Sequence, residues 1–323
     1  MIPELLVVVD TEEEFDWNAP FSRESTSTRA IPAQAAAHEI YDRLGLVPTY
    51  VVDYPVATDP EAVAFLRGLK ESGRAEIGAH LHPWVTPPHA EDVNRRNSYH
   101  CNLPPQLERA KIESITNAIG AAFGARPTIF KAGRYGFGAN TQQVIAELGY
   151  QIDCSRLPHT NLAADDGPDF RGTPAEPYWL DESRDLLEIP VTIGFYGRAA
   201  GLGPRAAWLF DNVAANRLRL PGLLARSGLV ARSRLTPEGV SADEQCRLIE
   251  AMAQRGHRVF SLVYHSPSLA PGHTPYVRTE EELAAFLAAL EQVLTFFRDR
   301  IGGRFTTLSA VHHDHLGRRR QAA

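Results

Sequence analysis

The sequence predicts a (β/α) barrel of seven or eight strands, on three observations. Short apolar, β-branched segments alternate with helical ones along nearly the whole chain, the pattern of a parallel sheet covered by helices. Chemically active side chains gather at the carboxyl ends of those strands, where barrels of this kind carry their sites. The length of 323 residues exceeds an average domain, yet α/β barrels commonly run this long as one unit.

The elements follow in order. LLVVVD (5–10) is a continuous apolar run ending in Asp, the look of a strand buried on both faces. A helix is expected over 31–45, stopping at Gly45, a residue that readily adopts the left-handed cap. PTYVVD (48–53) is the second strand. Residues 59–73 form a helix with Asp59 as N-cap, Pro60 in its first turn and Gly73 beyond its end. AEIGAH (75–80) is the third strand, and Pro83 stops it because proline has no N–H for the ladder. The stretch 105–124 places Leu107, Ala110, Ile115, Ile119 and Phe123 at helical spacing. PTIFKAG, NTQQVIAELG and YQIDCS then read as strand, helix and strand. LLEIPVTIGF (186–195) is a sixth strand, and DEQCRLIEAMAQRG a helix leading into the strand HRVFSLVYH (257–265). A long helix over 279–303 and a strand over 304–311 close the chain. One domain is therefore expected over 1–311, interrupted by an insertion at about 196–240 and followed by a polar tail, 312–323.

Composition narrows the function. Apolar residues make up 44% and charged residues 22%, which fits a globular protein rather than a disordered one. The net charge of −6 carries no nucleic-acid footprint. No apolar stretch is long enough to cross a bilayer. Three dispersed cysteines, Cys101, Cys154 and Cys246, argue for a reducing compartment. MIPELLVVVD lacks the basic start and cleavage site of a signal peptide. The expected location is the cytoplasm; oligomeric state is not legible.

EIGAHLHPW (76–84) places His80 and His82 two residues apart. On a strand both imidazoles share one face, whereas on a helix they would diverge by about 200°. VVVDTEEEF repeats the device with Asp10 and Glu12. Two carboxylates and two imidazoles at the tips of the first and third strands supply three ligands to a divalent metal and leave one carboxylate free. Three ligands with an open position are the catalytic pattern for zinc, because the vacancy holds an activated water. The plain alternative is that these are loop-mouth polar groups, and Glu13 and Glu14 are read as solvated. Asp53, Lys131, Arg134, Asp153 and His265 end other strands.

Taken together, the chain resembles the polysaccharide deacetylase (NodB-homology) family of carbohydrate esterases over nearly its whole length. VDTEEEF resembles the first motif, with Thr11 inserted between Asp10 and Glu12. EIGAHLHPW resembles the second, whose histidines usually stand four apart; here Trp84 holds that place and His82 is the second histidine. FKAGRYGFGANT resembles the third, with Lys131 for its commoner first arginine; IDCSRLP resembles the fourth and LVYHSPSL the fifth. The resemblance implies a distorted barrel and metal-dependent removal of an N- or O-acetyl group from a sugar, glycan or glycan precursor. It implies Asp10 as general base, Glu12 as a metal ligand with His80 and His82, Arg134 and Tyr135 along the groove, and His265 as general acid.

Residue chemistry runs the same way. Acyl hydrolysis needs a base, a stabiliser of the oxyanion and an acid for the leaving group. Lys131 or Arg134 can hold Asp10 ionised, and Asp153 can orient His265. Asp53, Trp84, Lys131, Tyr135 and His273 are candidate substrate contacts. HHDH (312–315) reads as a solvated tail despite its metal-like composition. Two other readings stand beside this one: a carbohydrate-binding barrel that has lost catalysis, and a metal-free amidohydrolase acting on another small C–N substrate.

Overall fold

The computed structural model describes residues 2–212, 215 and 217–322. Eleven described strands appear: β1 (Glu4–Thr11), β2 (Thr49–Val52), β3 (Glu76–Leu81), β4 (Ile129–Ala132), β5 (Ile152–Asp153), β6 (Tyr178–Asp181), β7 (Leu186–Glu188), β8 (Ile193–Tyr196), β9 (Ala231–Arg234), β10 (Val259–His265) and β11 (Arg304–Phe305). The main sheet runs β10-β1-β2-β3-β4-β5-β7-β6, with β11 paired to β1. Every pairing in it is parallel except β6 with β7. Seven parallel strands in succession, with helices between them, are the expected distorted barrel.

All eight residues of β1 are buried, as its unbroken apolar run requires. Its pairing with β10 sets Asp10 opposite His265, so barrel curvature brings the first and last active strand ends side by side. β2 lies between β1 and β3, so the carboxylate and histidine pairs converge across its tip. The barrel seam is irregular. Ser261 donates its N–H to Thr192 Oγ1 at 2.8 Å, and the Leu235 N–H reaches the Thr192 carbonyl at 2.9 Å. The first of these, with the Val263 N–H donating to the Leu235 carbonyl at 3.1 Å, ties the chain beyond β7 to β10 where no ladder forms among the described residues.

Helix ends follow the sequence signals. Gly45 caps Gln34–Leu44 at φ 68°, and the Asp59 side chain accepts from the N–H groups of Glu61 and Ala62 ahead of Pro60–Glu71. Helices over Pro105–Phe123, Ala242–Gln254 and Glu280–Asp299 bury Ile115, Ile119, Phe123, Leu248, Phe286, Leu290 and Leu294 against the sheet.

Three expectations need correction. The strand expected over 186–195 is split into β7 and β8, because Pro190 cannot donate to a ladder. The strand expected over 304–311 is only β11, and the helix Leu308–Ala322 follows it. HHDH lies in that helix, where His312 is buried and its Nε2 meets the Asp185 carbonyl at 2.8 Å. The insertion acquires a role in the sheet region: β9 pairs antiparallel with β8 and returns the chain to the mouth of the barrel.

Candidate active site

The carboxyl ends of β1, β3, β4 and β10 meet at a cleft of about 380 Å³. Asp10, Glu12, His80, His82, Arg134, Tyr135, Arg234 and His265 line it, with an apolar rim that includes Trp17, Phe21 and Tyr276.

Glu12, His80 and His82 are buried, and one potential ligand atom from each lies within 4.8 Å of the others. Glu12 Oε2 is 3.5 Å from His80 Nε2 and 3.4 Å from His82 Nε2. The other ring nitrogens are engaged: His80 Nδ1 contacts the Lys131 carbonyl at 3.2 Å, and His82 Nδ1 contacts Glu13 Oε2 at 2.8 Å. Both partners are acceptors, so the proton belongs on Nδ1 and the Nε2 lone pairs face Glu12. Burial drives both histidines towards the neutral form, His82 to about 4. Glu12 Oε1 is buried without a hydrogen-bond partner. Burial foremost, then the charges of Glu13 and Asp10, raise the Glu12 carboxyl well above its ordinary range. A buried carboxylate with an orphaned oxygen beside two imidazole lone pairs is a donor set suited to a divalent cation.

Gly133, just past β4, makes this packing possible. A Cβ there would collide with the Leu81 carbonyl and the His82 ring.

Asp10 is held by Lys131, whose Nζ donates to Oδ1 at 2.5 Å. Burial would raise the Asp10 carboxyl, but Lys131, His80 and His265 outweigh it and hold it at about 2. His265 Nε2 lies 3.8 Å from Asp10 Oδ2. On its other side, His265 Nδ1 is 2.8 Å from Glu238 Oε2, and the His265 N–H donates to Glu238 Oε1 at 3.0 Å. The Ser268 hydroxyl also donates to Glu238. Burial alone would raise the Glu238 carboxyl, yet His265 and these hydrogen bonds bring it below its ordinary range.

Several expected site residues sit elsewhere. Asp153 does not orient His265: it accepts from the Ser155 hydroxyl at 2.6 Å and neighbours Glu188, and Glu238 takes the orienting position. Arg134 does not reach Asp10. Arg134 and Tyr135 both have left-handed backbones, φ 51° and 60°, which turn the guanidinium out to Ser98, Asp165 and the Tyr99 ring. Lys131 is fully buried on Asp10 and is no groove contact. Trp84 and Asp53 are also buried. The Trp84 ring stacks 4.2 Å from that of His82, and its Nε1–H donates to Glu13 Oε1 at 2.7 Å. Asp53 accepts from the N–H groups of Glu13 at 2.7 Å and Val56 at 2.8 Å, capping the helix Tyr54–Thr58. His273 lines an adjacent recess, 3.5 Å from Glu14. Tyr135 alone of the expected substrate contacts lines the cleft.

Glu13 is the main misreading: it is buried, not solvated. Burial pushes its carboxyl up to about 7, and its two oxygens bind the His82 ring and the Trp84 indole. Trp84→Phe keeps a ring beside His82 but removes the donor to Glu13. A buried acceptor stripped of its donor costs about 1–3 kcal/mol. Urea unfolding should show that loss, and an unchanged midpoint would mean that the indole hydrogen bond adds nothing.

No protein-family model matches the sequence, and no curated protein matches it. Solved structures do match in fold. A Mycobacterium smegmatis protein named as a polysaccharide deacetylase aligns with a TM-score of 0.56 at 14% identity, over 99% of this chain and 92% of that one. One from Pseudomonas aeruginosa PAO1, also named as a polysaccharide deacetylase, gives 0.55 at 14% identity, over 96% and 89%. The Puue allantoinase gives 0.55 at 14% identity, over 96% and 89%. At these identities the shared property is the fold, a (β/α) barrel of the polysaccharide deacetylase type.

Proposed function

We propose that this protein is a metal-dependent hydrolase that removes an N- or O-acyl group from a sugar, glycan or glycan precursor. The reading takes residues 1–311 as one barrel domain with an insertion at about 196–240. One observation carries it: Glu12 Oε1 is buried and unpartnered while Glu12 Oε2 faces the Nε2 atoms of His80 and His82. Burying a carboxylate costs several kcal/mol unless something compensates it, and among the described residues no cation pairs with Glu12. Zinc suits two imidazoles, one carboxylate and an open side. Bound there, it would acidify a water molecule and polarise an acyl carbonyl.

The chain's own residues supply the remaining parts. Lys131 keeps Asp10 ionised and fixed, so Asp10 is a proton acceptor at the edge of the cleft. Glu238 fixes the His265 ring at Nδ1 and leaves Nε2 facing the cleft, which suits His265 to protonate a leaving group at Nε2. Trp17, Phe21 and Tyr276 offer ring faces to a sugar. Arg234 donates to the Tyr135 hydroxyl at 3.3 Å and lines the cleft, where its guanidinium can meet a polar group of the substrate. The three cysteines are free thiols, which supports a reducing compartment such as the cytoplasm. Likeness in fold to two proteins named as polysaccharide deacetylases supports a sugar substrate.

A second reading, hydrolysis of another small C–N substrate, draws on the equal likeness to the allantoinase and on the small size of the cleft. Elemental analysis and acetate release separate the two. The wild type should purify with about one equivalent of zinc, His82→Ala with little, and a chelator should stop acetate release from acetylated sugars. A metal-free protein that hydrolyses a ureide or amide in chelator would establish the second reading.

A further inference from the structure

The insertion exposes apolar side chains that none of the described residues covers. Apart from Ile2, the large hydrophobic residues found exposed are Leu202, Trp208, Leu218, Leu220, Leu223 and Leu229. All lie within 28 consecutive positions, from 202 to 229. Other residues of the insertion pack inwards: Phe210 and Leu224 lie against a small separate cluster of Phe195, Ala200, Ala207 and Val230. This layer has an inner face that packs and an outer face left to solvent. Soluble monomers rarely show such a concentration without a partner.

Charge identifies the partner. Between Gly197 and Val230 stand five arginines, Arg198, Arg205, Arg217, Arg219 and Arg226, and one acid, Asp211. All five arginines are exposed, and Asp211 is occupied by Arg232 at 2.8 Å. This basic patch sits on a chain whose net charge is −6. Leucine and tryptophan side chains among arginines are what an element lying in a lipid interface presents. A twofold contact between two copies would instead set the arginines of one against those of the other.

We infer that Leu202, Trp208, Leu218, Leu223 and Leu229, with the arginines among them, dock this protein on an anionic lipid surface as a peripheral, non-spanning anchor. No described helix is long and apolar enough to cross a membrane, so the contact is interfacial. The same insertion contributes Arg234 to the cleft and Glu238 to His265. Docking would therefore bring a lipid-borne substrate to the cleft. The docking itself does not depend on the catalytic reading.

The test is co-sedimentation of the full chain with vesicles of phosphatidylcholine alone and of phosphatidylcholine mixed with phosphatidylglycerol. Binding should require phosphatidylglycerol and weaken with salt. Each arginine removed should weaken it about fivefold. Arg217→Gln, Arg219→Gln and Arg226→Gln together should therefore cost about a hundredfold. Trp208→Ser with Leu223→Ser should abolish binding while thermal unfolding and hydrolysis of a soluble substrate stay unchanged, since both side chains are exposed. Absence of binding to phosphatidylglycerol vesicles would overturn the inference. So would equal binding by these variants, or a solution dimer that Trp208→Ser with Leu223→Ser splits.

Discussion

Asp10→Asn is expected to lower acyl hydrolysis by more than about a hundredfold, the usual scale for a positioned base, with zinc content unchanged. Asp10 is not in the Glu12–His80–His82 group; its Oδ1 is on Lys131 and its Oδ2 faces His265. Asn keeps the shape and removes the proton acceptor. The substitution also leaves the Lys131 ammonium buried without its counter-charge, and breaking one side of a buried pair costs about 3–5 kcal/mol. Loss of activity could then reflect loss of fold. Adding Lys131→Met separates the effects, because removing both charges restores a satisfied interior. The double variant should regain most of the thermal stability and none of the activity. If it regained activity, the carboxylate would be only a structural counter-ion to Lys131.

The part of this site that could be read from the sequence is the part fixed by strand geometry. Asp10 with Glu12, and His80 with His82, are i, i+2 pairs at strand ends, and that spacing alone sets both members on one side. Pairing of β10 with β1 then follows from barrel closure. What stayed hidden depends on the backbone beyond the strands. β1 ends at Thr11, so alternation no longer governs Glu13, whose N–H docks on Asp53 and whose carboxylate turns inwards. The acidic run around it looks solvated because a sequence shows the charges and not the Trp84 indole that receives them. Arg134 and Tyr135 adopt left-handed angles that non-glycine residues rarely take, and no residue type announces that turn.

Glu238 was hidden for another reason. It lies in the insertion, in the loop that follows β9, and no periodicity links it to His265. The signal available was weak: an acid in SRLTPEGV, between a strand and the N-cap Ser241. The fold makes it decisive, because the β8–β9 pairing returns the chain to the end of β10. An insertion that breaks the strand–helix rhythm thus completes the site.

His265→Ala should slow an amide substrate by about a hundredfold or more, the lower end for a general acid, and slow an ester with a good leaving group far less. An amine departs only when protonated, whereas a stabilised alkoxide or phenoxide does not need that proton. The geometry of His265 suits it to this proton transfer, since Nδ1 is bound to buried Glu238 and Nε2 points back across the cleft towards Asp10. Glu238→Gln tests the same arrangement from behind. Gln has one acceptor oxygen where Glu238 uses two, one for the His265 N–H and one for its ring, so it holds the ring less firmly and should show the amide-selective defect in weaker form, with KM nearly unchanged. Both variants should retain zinc, since neither residue belongs to the Glu12–His80–His82 group. Competing roles give other patterns. If His265 merely bound substrate, amide and ester would slow alike and KM would rise. If it merely held the fold, Glu238→Gln and His265→Ala would lower thermal stability together and show no dependence on the leaving group. Parallel measurement of an acetamido sugar and an activated acetyl ester therefore decides whether the β10 histidine delivers a proton.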